Sequence, residues 1–362
     1  MEKEKILKYL IANKINILLG AGAPKVKLTE NEKEFPLMSD LLEVVFDDSN
    51  VKELLKKINE SESDQKNILV NLIEKTKNNV EELLSALESV STFIVDDNLS
   101  DILNDLVKKV KSLIIGRIVE SNDFKSIENY CSFFSAIRNI NEIKFSNNIV
   151  NIFSTNYDMI CEKSLEKLNI HYYNGFIGNM TRKFNPTFYK YKYVESVDLN
   201  KTKYYQNKDH FNLYKIHGSF SWRVSDDNLF EVQNYEEDIN NCILIYPSSN
   251  KFISVALLPY YSTLLKEFSN SINQERSVLL TIGYSFSDLH INSLIKEALM
   301  LDQFTLIACI FDKKKEESVL ESLGGKRSNI LIISGHENAT LLAIASLINN
   351  HQNKGTSGDF NE

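Results

Sequence analysis

The stretch INILLGAGAP, residues 15–24, sets a short aliphatic run directly against a Gly-Ala-Gly turn. Ile15, Ile17, Leu18 and Leu19 lack clean apolar–polar alternation, which is how a strand buried on both faces of a parallel sheet reads. Gly20 and Gly22 are two of only 12 glycines in 362 residues. They strip the turn of bulk, so that something can approach the backbone. The pattern of an apolar run ending in small or polar residues recurs in NNIVNIFSTNYD (147–158), LYKIHGSFSW (213–222), CILIYPSSNK (242–251), SVLLTIGYSFSD (277–288), FTLIACIFDKK (304–314) and ILIIS (330–334). Helical patterns follow two of them, in MICEKSLEKLN and HINSLIKEALM. Alternating buried strands and helices predict an α/β fold with a largely parallel sheet.

Residues 39–145 have a different texture. Leu, Ile and Val recur at helical spacing, as in Leu41, Leu42, Val45 and Phe46, or Ile102, Leu103, Leu106 and Val110, with Lys, Glu, Asn and Asp between them. This predicts an all-helical insertion of amphipathic helices, with Ser63, Asp64 and Asp101 as N-caps. A short helix precedes the first strand over residues 2–13. The polar residues 349–362 read as a flexible tail.

Composition is that of a globular protein, with 43% hydrophobic and 25% charged residues. No apolar run reaches the ~18–20 residues that span a bilayer, and the charged N-terminus has no signal-peptide pattern. A cytoplasmic location and no membrane association are therefore expected. The net charge of −8 argues against direct nucleic-acid binding. The four cysteines, Cys131, Cys161, Cys242 and Cys309, show no paired spacing. They predict reduced thiols, with no metal site.

In open parallel sheets, ligands bind beyond the carboxyl ends of the strands. The residues found there are Gly20, Ala21, Gly22 and Ala23; Thr155, Asn156 and Asp158; His217; Tyr246 to Ser249; Gly283 and Ser285; and Asp312. Each has two readings. The glycine turn is either a pyrophosphate cradle or a tight turn, and it lacks the third glycine of the hydride-transfer fingerprint. Asn156 is either a contact to a ribose hydroxyl or a water, or an Asx-turn. His217 is either a base or a strand-end histidine bonded to backbone. Ser285 and Asp288 either cap a helix or touch a phosphate or ribose. Asp312 either accepts ribose hydroxyls or closes a turn.

The ordered set resembles the sirtuin-like family. GAGA resembles the start of the family's GAG-x-S loop, with Pro24 in place of Ser. STNYD is similar to the T-Q-N-[IV]-D motif, KIHGS to the catalytic H-G, and TIGYSFSD stands where G-T-S is usual. T-N-Y-D and G-Y-S-x-x-D bring it nearer the bacterial NAD-consuming effectors of antiphage defence, and nearest the standalone type that pairs with a HerA-type ATPase.

The resemblance implies a Rossmann-like sheet and a sirtuin-like NAD-binding domain made of residues 1–38 and 146–348. Only Cys242 lies between His217 and Gly283, so the four-cysteine zinc ribbon of the deacylases is absent and no metal is expected. NAD+ is then a substrate, hydrolysed to nicotinamide and ADP-ribose in abortive infection. Asn156 and His217 would be catalytic. Gly20, Ala21, Gly22, Ala23, Thr155, Asp158, Gly283, Ser285 and Asp312 would bind NAD+. A homo-oligomer, and a HerA-type ATPase or other phage-sensing partner, would gate the activity. Non-catalytic binding of NAD or ADP-ribose, and protein deacylation, are the alternative readings.

Overall fold

The computed structural model describes residues 2–24, 38–120, 124–143, 149–196, 203–206, 209–226, 228–234, 242–244 and 259–355. Seven parallel strands form its central sheet: β1 (Lys14–Leu19), β2 (Val150–Ser154), β3 (His171–Tyr173), β4 (His210–Lys215), β5 (Ser277–Ile282), β6 (Phe304–Ile310) and β7 (Ile330–Ser334). Their order is β7-β6-β5-β1-β2-β4-β3, with every pairing parallel. This is the Rossmann-like α/β architecture that the recurrent apolar runs predict.

Both faces of the sheet are covered. Ile15, Ile17 and Leu19 of β1 join Leu10 of α1 (Glu2–Ala12), Phe134 and Ile137 of α7 (Phe124–Ile143), Leu165 of α8 (Ile160–Lys167) and Ile344 of α12 (Leu341–Gly355). Leu18, Phe153, Tyr214 and Leu279 point the other way. They meet Phe268 of α9 (Pro259–Ile272), Ile295 of α10 (Leu289–Ala298) and Val319 of α11 (Glu316–Ser322). Parallel strands covered by helices on both sides need this two-sided apolar character, which is why β1 lacks alternation.

One polar row interrupts the second face. Asn16, Asn151 and Asn212 are register partners on β1, β2 and β4. Asn212 Nδ2 donates to Asn151 Oδ1 (3.1 Å), and Asn151 Nδ2 to Asn16 Oδ1 (3.0 Å). A one-residue slip would break the row, so the asparagines reinforce the register.

Helices α2 (Met38–Asp47), α3 (Ser49–Glu60), α4 (Lys66–Thr76), α5 (Val80–Ser91), α6 (Asp97–Glu120) and α7 fill residues 38–143 except for short connections. Their apolar residues, among them Leu41, Leu69 and Leu103, run continuously into the core beneath β1. α7 packs against α8 and α12, so it belongs to the layer that covers the sheet.

Three local expectations are corrected. Asp101 lies inside α6, and the helix is capped instead by Asp96, whose Oδ1 accepts from Leu99 N (2.8 Å). α4 starts after Gln65, and Asp64 does not cap it; Ser63 does cap the turn leading in, its Oγ accepting from Gln65 N (3.3 Å) and its carbonyl from Lys66 N (3.1 Å). α12 continues to Gly355, so residues 349–355 are helical rather than tail. Ile344 and Ile348 anchor this helix in the core.

Candidate functional site

The chain runs from β1 to one side of the sheet and returns from β4 to the other. β2 lies on one side and β5 on the other, which makes the carboxyl end of β1 a topological switch point. The GAG turn, the STNYD loop and the GYSFSD loop all begin there.

The glycines of the turn serve loop-on-loop packing. A Cβ on Gly20 would come within 2.5 Å of Gly283 O, and one on Gly283 within 2.0 Å of Ala23 N. Gly283 also sits at φ +66°, a left-handed conformation that glycine adopts without penalty. Gly22 N donates to Gly283 O (2.9 Å) and Ala23 N to Gly20 O (2.9 Å). Two of the N–H groups expected to face a pyrophosphate are therefore engaged inside the protein.

Asn156 is held from both sides. Its backbone N donates to Ser154 Oγ (3.1 Å) and its Nδ2 to Gly20 O (3.1 Å). With Nδ2 committed to that carbonyl, Oδ1 faces a buried position where it has no partner. A buried acceptor left unpaired is costly, of order ~1–3 kcal/mol. Thr155, next to it, is fixed by its N and Oγ1, both donating to Leu19 O. Asp158 accepts from Ile160 N through Oδ1 (2.9 Å), while its Oδ2 is buried and unpartnered.

His217 follows β4. Ile216 N donates to Ser154 O (2.9 Å) and Phe220 N to Tyr157 O (3.1 Å), so the KIHGS loop lies along the STNYD loop. His217 is buried, and its Nε2 lies 3.0 Å from Oδ2 of Asp288, which is buried as well. β4 and β5 stand three strand spacings apart, about 14 Å at ~4.8 Å each. The His217–Asp288 pair therefore bridges the ends of β1 and β2.

Asp288 has a second task. Its Oδ1 accepts from His290 N (2.9 Å) and Ile291 N (3.1 Å), capping α10. Burial pushes the Asp288 carboxyl up, but the His217 contact and the two backbone donors overcome it and hold the pKa below the usual carboxylate value. An ionised Asp288 can only accept, so His217 Nε2 carries the hydrogen of this contact and Nδ1 is the ring nitrogen turned away from the carboxylate. The loop before the cap is strained: Phe286 sits at φ +57°, held by Asn292 Nδ2 donating to its carbonyl (2.7 Å).

Other expected residues stand apart from this cluster. Ser285 is exposed, with its Oγ 2.6 Å from Ser287 Oγ. Asp312 is exposed, and its Oδ1 accepts from Lys314 N (3.0 Å) to cap a short 3-10 turn. Its carboxylate thus performs the turn-closing role. Tyr246 to Ser249 lie outside the described residues.

The structure also brings in groups that the motifs do not reveal. Tyr130, from α7, is fully buried, with its phenol beside the Asn156 amide. Burial pushes its phenol well up, with further contributions from Cys161 and Asp158, while a bond to Asn156 works the other way. Lys215 Nζ donates to the Asp158 carbonyl and lies 3.8 Å from Glu162 Oε1. Burial raises Glu162 to about 7, with Lys215 opposing the rise.

Among the described residues, no group of three or more His, Cys, Asp or Glu could hold a metal, and the four cysteines form no disulfide. A cavity of about 670 Å³ opens elsewhere, between α1, the end of β7 and α12, lined by Glu4, Leu7, Lys313, Glu337 and Asn338. It contains none of the residues of the switch-point cluster.

A parallel sheet with polar loops gathered at its switch point defines an α/β protein of the Rossmann-like class. Within that class, residues 150–325 match the SIR2-like domain model, which supports a sirtuin-like family and NAD-related function. The matched span contains Asn156, His217, Asp288 and Asp312. No curated protein matches the chain. Cytosolic 5′-nucleotidase IIIB bound to cytidine aligns over 98% of this chain and 93% of its own, at 11% identity and a TM-score of 0.35; a likeness this slight carries no argument. Among the described residues, no helix is long and apolar enough to cross a membrane.

Proposed function

We propose that the chain is an NAD+ glycohydrolase that cleaves the bond between nicotinamide and ribose, releasing nicotinamide and ADP-ribose. The observation that carries this reading is the orphaned Oδ1 of Asn156. It is a buried acceptor, fixed in direction by the Nδ2 bond to Gly20 O, in the switch-point loop along which the KIHGS loop lies. A water or ribose hydroxyl would satisfy it by donating a proton to it.

Bond cleavage builds positive charge on the ribose, as in glycoside hydrolysis. Asn156 Oδ1 would orient the water that captures this cation. His217 Nδ1 would accept the proton that the water loses, and Asp288 would stabilise the imidazolium formed. Asp158, with its free buried Oδ2, would face the nicotinamide-side ribose.

The resemblance in STNYD, KIHGS and GYSFSD supports a place in antiphage defence, where NAD+ loss stops the infected cell. It also supports control by self-assembly and a HerA-type ATPase. The test is phage challenge of cells carrying the wild-type chain or Asn156→Ala, with cellular NAD+ followed over time. The reading expects NAD+ to collapse on infection in the wild type alone. Protection by the Asn156→Ala chain, or infection with NAD+ unchanged, contradicts it.

A further inference from the structure

Net charge conceals a local reversal. Between Arg182 and Lys208 the chain carries seven Lys or Arg and two Asp or Glu, interleaved with seven aromatic residues, in a protein of net charge −8. FYKYKYV (188–194) alternates ring and cation, and KTKYY (201–205) sets two lysines before two tyrosines.

The structure places much of this segment at one edge of the sheet, beside β3. Tyr193, 41% exposed, stacks on the exposed ring of His171 of β3, with centroids 4.5 Å apart and planes 12° from parallel. Tyr191, 51% exposed, packs against Phe188, which meets Tyr173 of β3, and Tyr173 meets His210. Tyr204, 59% exposed, stands opposite Ser196 in the antiparallel pair Val194–Ser196 and Tyr204–Gln206. Lys190, Lys192 and Lys203 are exposed in the same segment. Arg182 is committed to Glu231 (2.6 Å). The acidic groups nearby are Glu195, opposite Tyr205, and Glu166, which accepts from Tyr172 Oη.

From this we propose that the edge is a binding surface for single-stranded nucleic acid. Exposed, partly supported rings offer stacking faces to successive bases, and the interleaved lysines neutralise the phosphates between them. The alternative occupant, a second copy of the chain, would favour the tyrosines but not the lysines, because lysine is depleted from protein–protein contacts. The surface lies on the β3 side of the sheet, apart from the switch-point loops, and does not depend on the reaction proposed above.

The test is fluorescence anisotropy of labelled 20-nucleotide oligo(dT) with the full chain, titrated with salt. Compared with wild type are Lys190→Glu/Lys192→Glu and Tyr191→Ala/Tyr193→Ala, with folding verified by circular dichroism. The proposal expects salt-sensitive binding, a loss of at least about tenfold in each double variant, and weaker binding of a duplex of equal length. Absence of oligo(dT) binding at low salt overturns it, as does affinity unchanged in both folded variants. Loss of a self-associated state in the variants, with no oligo(dT) binding by the wild type, overturns it in favour of a contact between copies.

Discussion

In the proposed reaction, Asn156 and the His217–Asp288 pair carry the chemistry at the scale of single residues. Asn156→Ala removes the oriented acceptor, and His217→Ala the base; a positioned base contributes typically ~10²–10⁴-fold. Each variant is expected to lose NAD+ turnover by at least about 10²-fold while remaining folded, and His217→Ala to melt lower because it leaves the buried Asp288 carboxylate without its partner; steady-state assay and calorimetry measure both. Asp288→Asn is more discriminating. Asparagine still caps α10, so the helix is retained, but its amide can donate to Nε2 and turn the ring to the other tautomer. Turnover should fall with the fold intact, and the ¹⁵N shifts of the His217 ring should exchange between Nδ1 and Nε2. Unchanged shifts would remove the assigned role of Asp288.

Glu162 supplies a pH signature at the same scale. Its pKa rises from 4.5 unfolded to about 7 folded, chiefly through burial. A carboxyl raised on folding contributes stability that is fully present below pH 4.5 and lost as pH climbs through 7. Glu162→Gln should therefore flatten the decline in melting temperature across that window, as read by thermal unfolding at a series of pH values. An undiminished slope in the variant would place the titrating group elsewhere.

At the scale of elements, the strand-end loops are locked to one another. Gly283→Ala would force a Cβ into the backbone of Ala23 and strain the φ of +66°. Loss of the β1–β5 loop junction should cost at least about 1–3 kcal/mol, a range usual for forced backbone strain, and denaturant unfolding measures it. The central strands and their polar ends were legible in the sequence because parallel strands covered on both faces leave an unbroken apolar signature. The purpose of the glycines was less so. A bare backbone reads the same whether a ligand or another loop approaches, and the structure shows that Gly283 does. The asparagine row on β1, β2 and β4 was hidden too, because register between strands distant in sequence leaves no local mark.

At the scale of the whole molecule, the site is assembled from segments far apart in the chain. His217 and Asp288 are separated by 71 residues, and Tyr130 arrives from α7, within what reads in sequence as a helical insertion. Motifs show the residues at strand ends but not which of them touch. Net charge likewise averages over local patches: a total of −8 coexists with exposed lysines at the edge beside β3. The continuity of the helical segment with the core beneath β1 gives a physical route by which a contact on α2–α6 could bias the switch point. If assembly gates the activity, light scattering should find an oligomer, and turnover should rise when a HerA-type ATPase is added. A monomer with full activity alone would contradict that gating.

The central claim is most directly tested by incubating purified protein with NAD+, alone and with a candidate HerA-type ATPase, and counting nicotinamide released against NAD+ lost. The account predicts one nicotinamide per NAD+ in the wild type and none above background in Asn156→Ala. Equal release by both proteins, or NAD+ untouched by the wild type under both conditions, would contradict it.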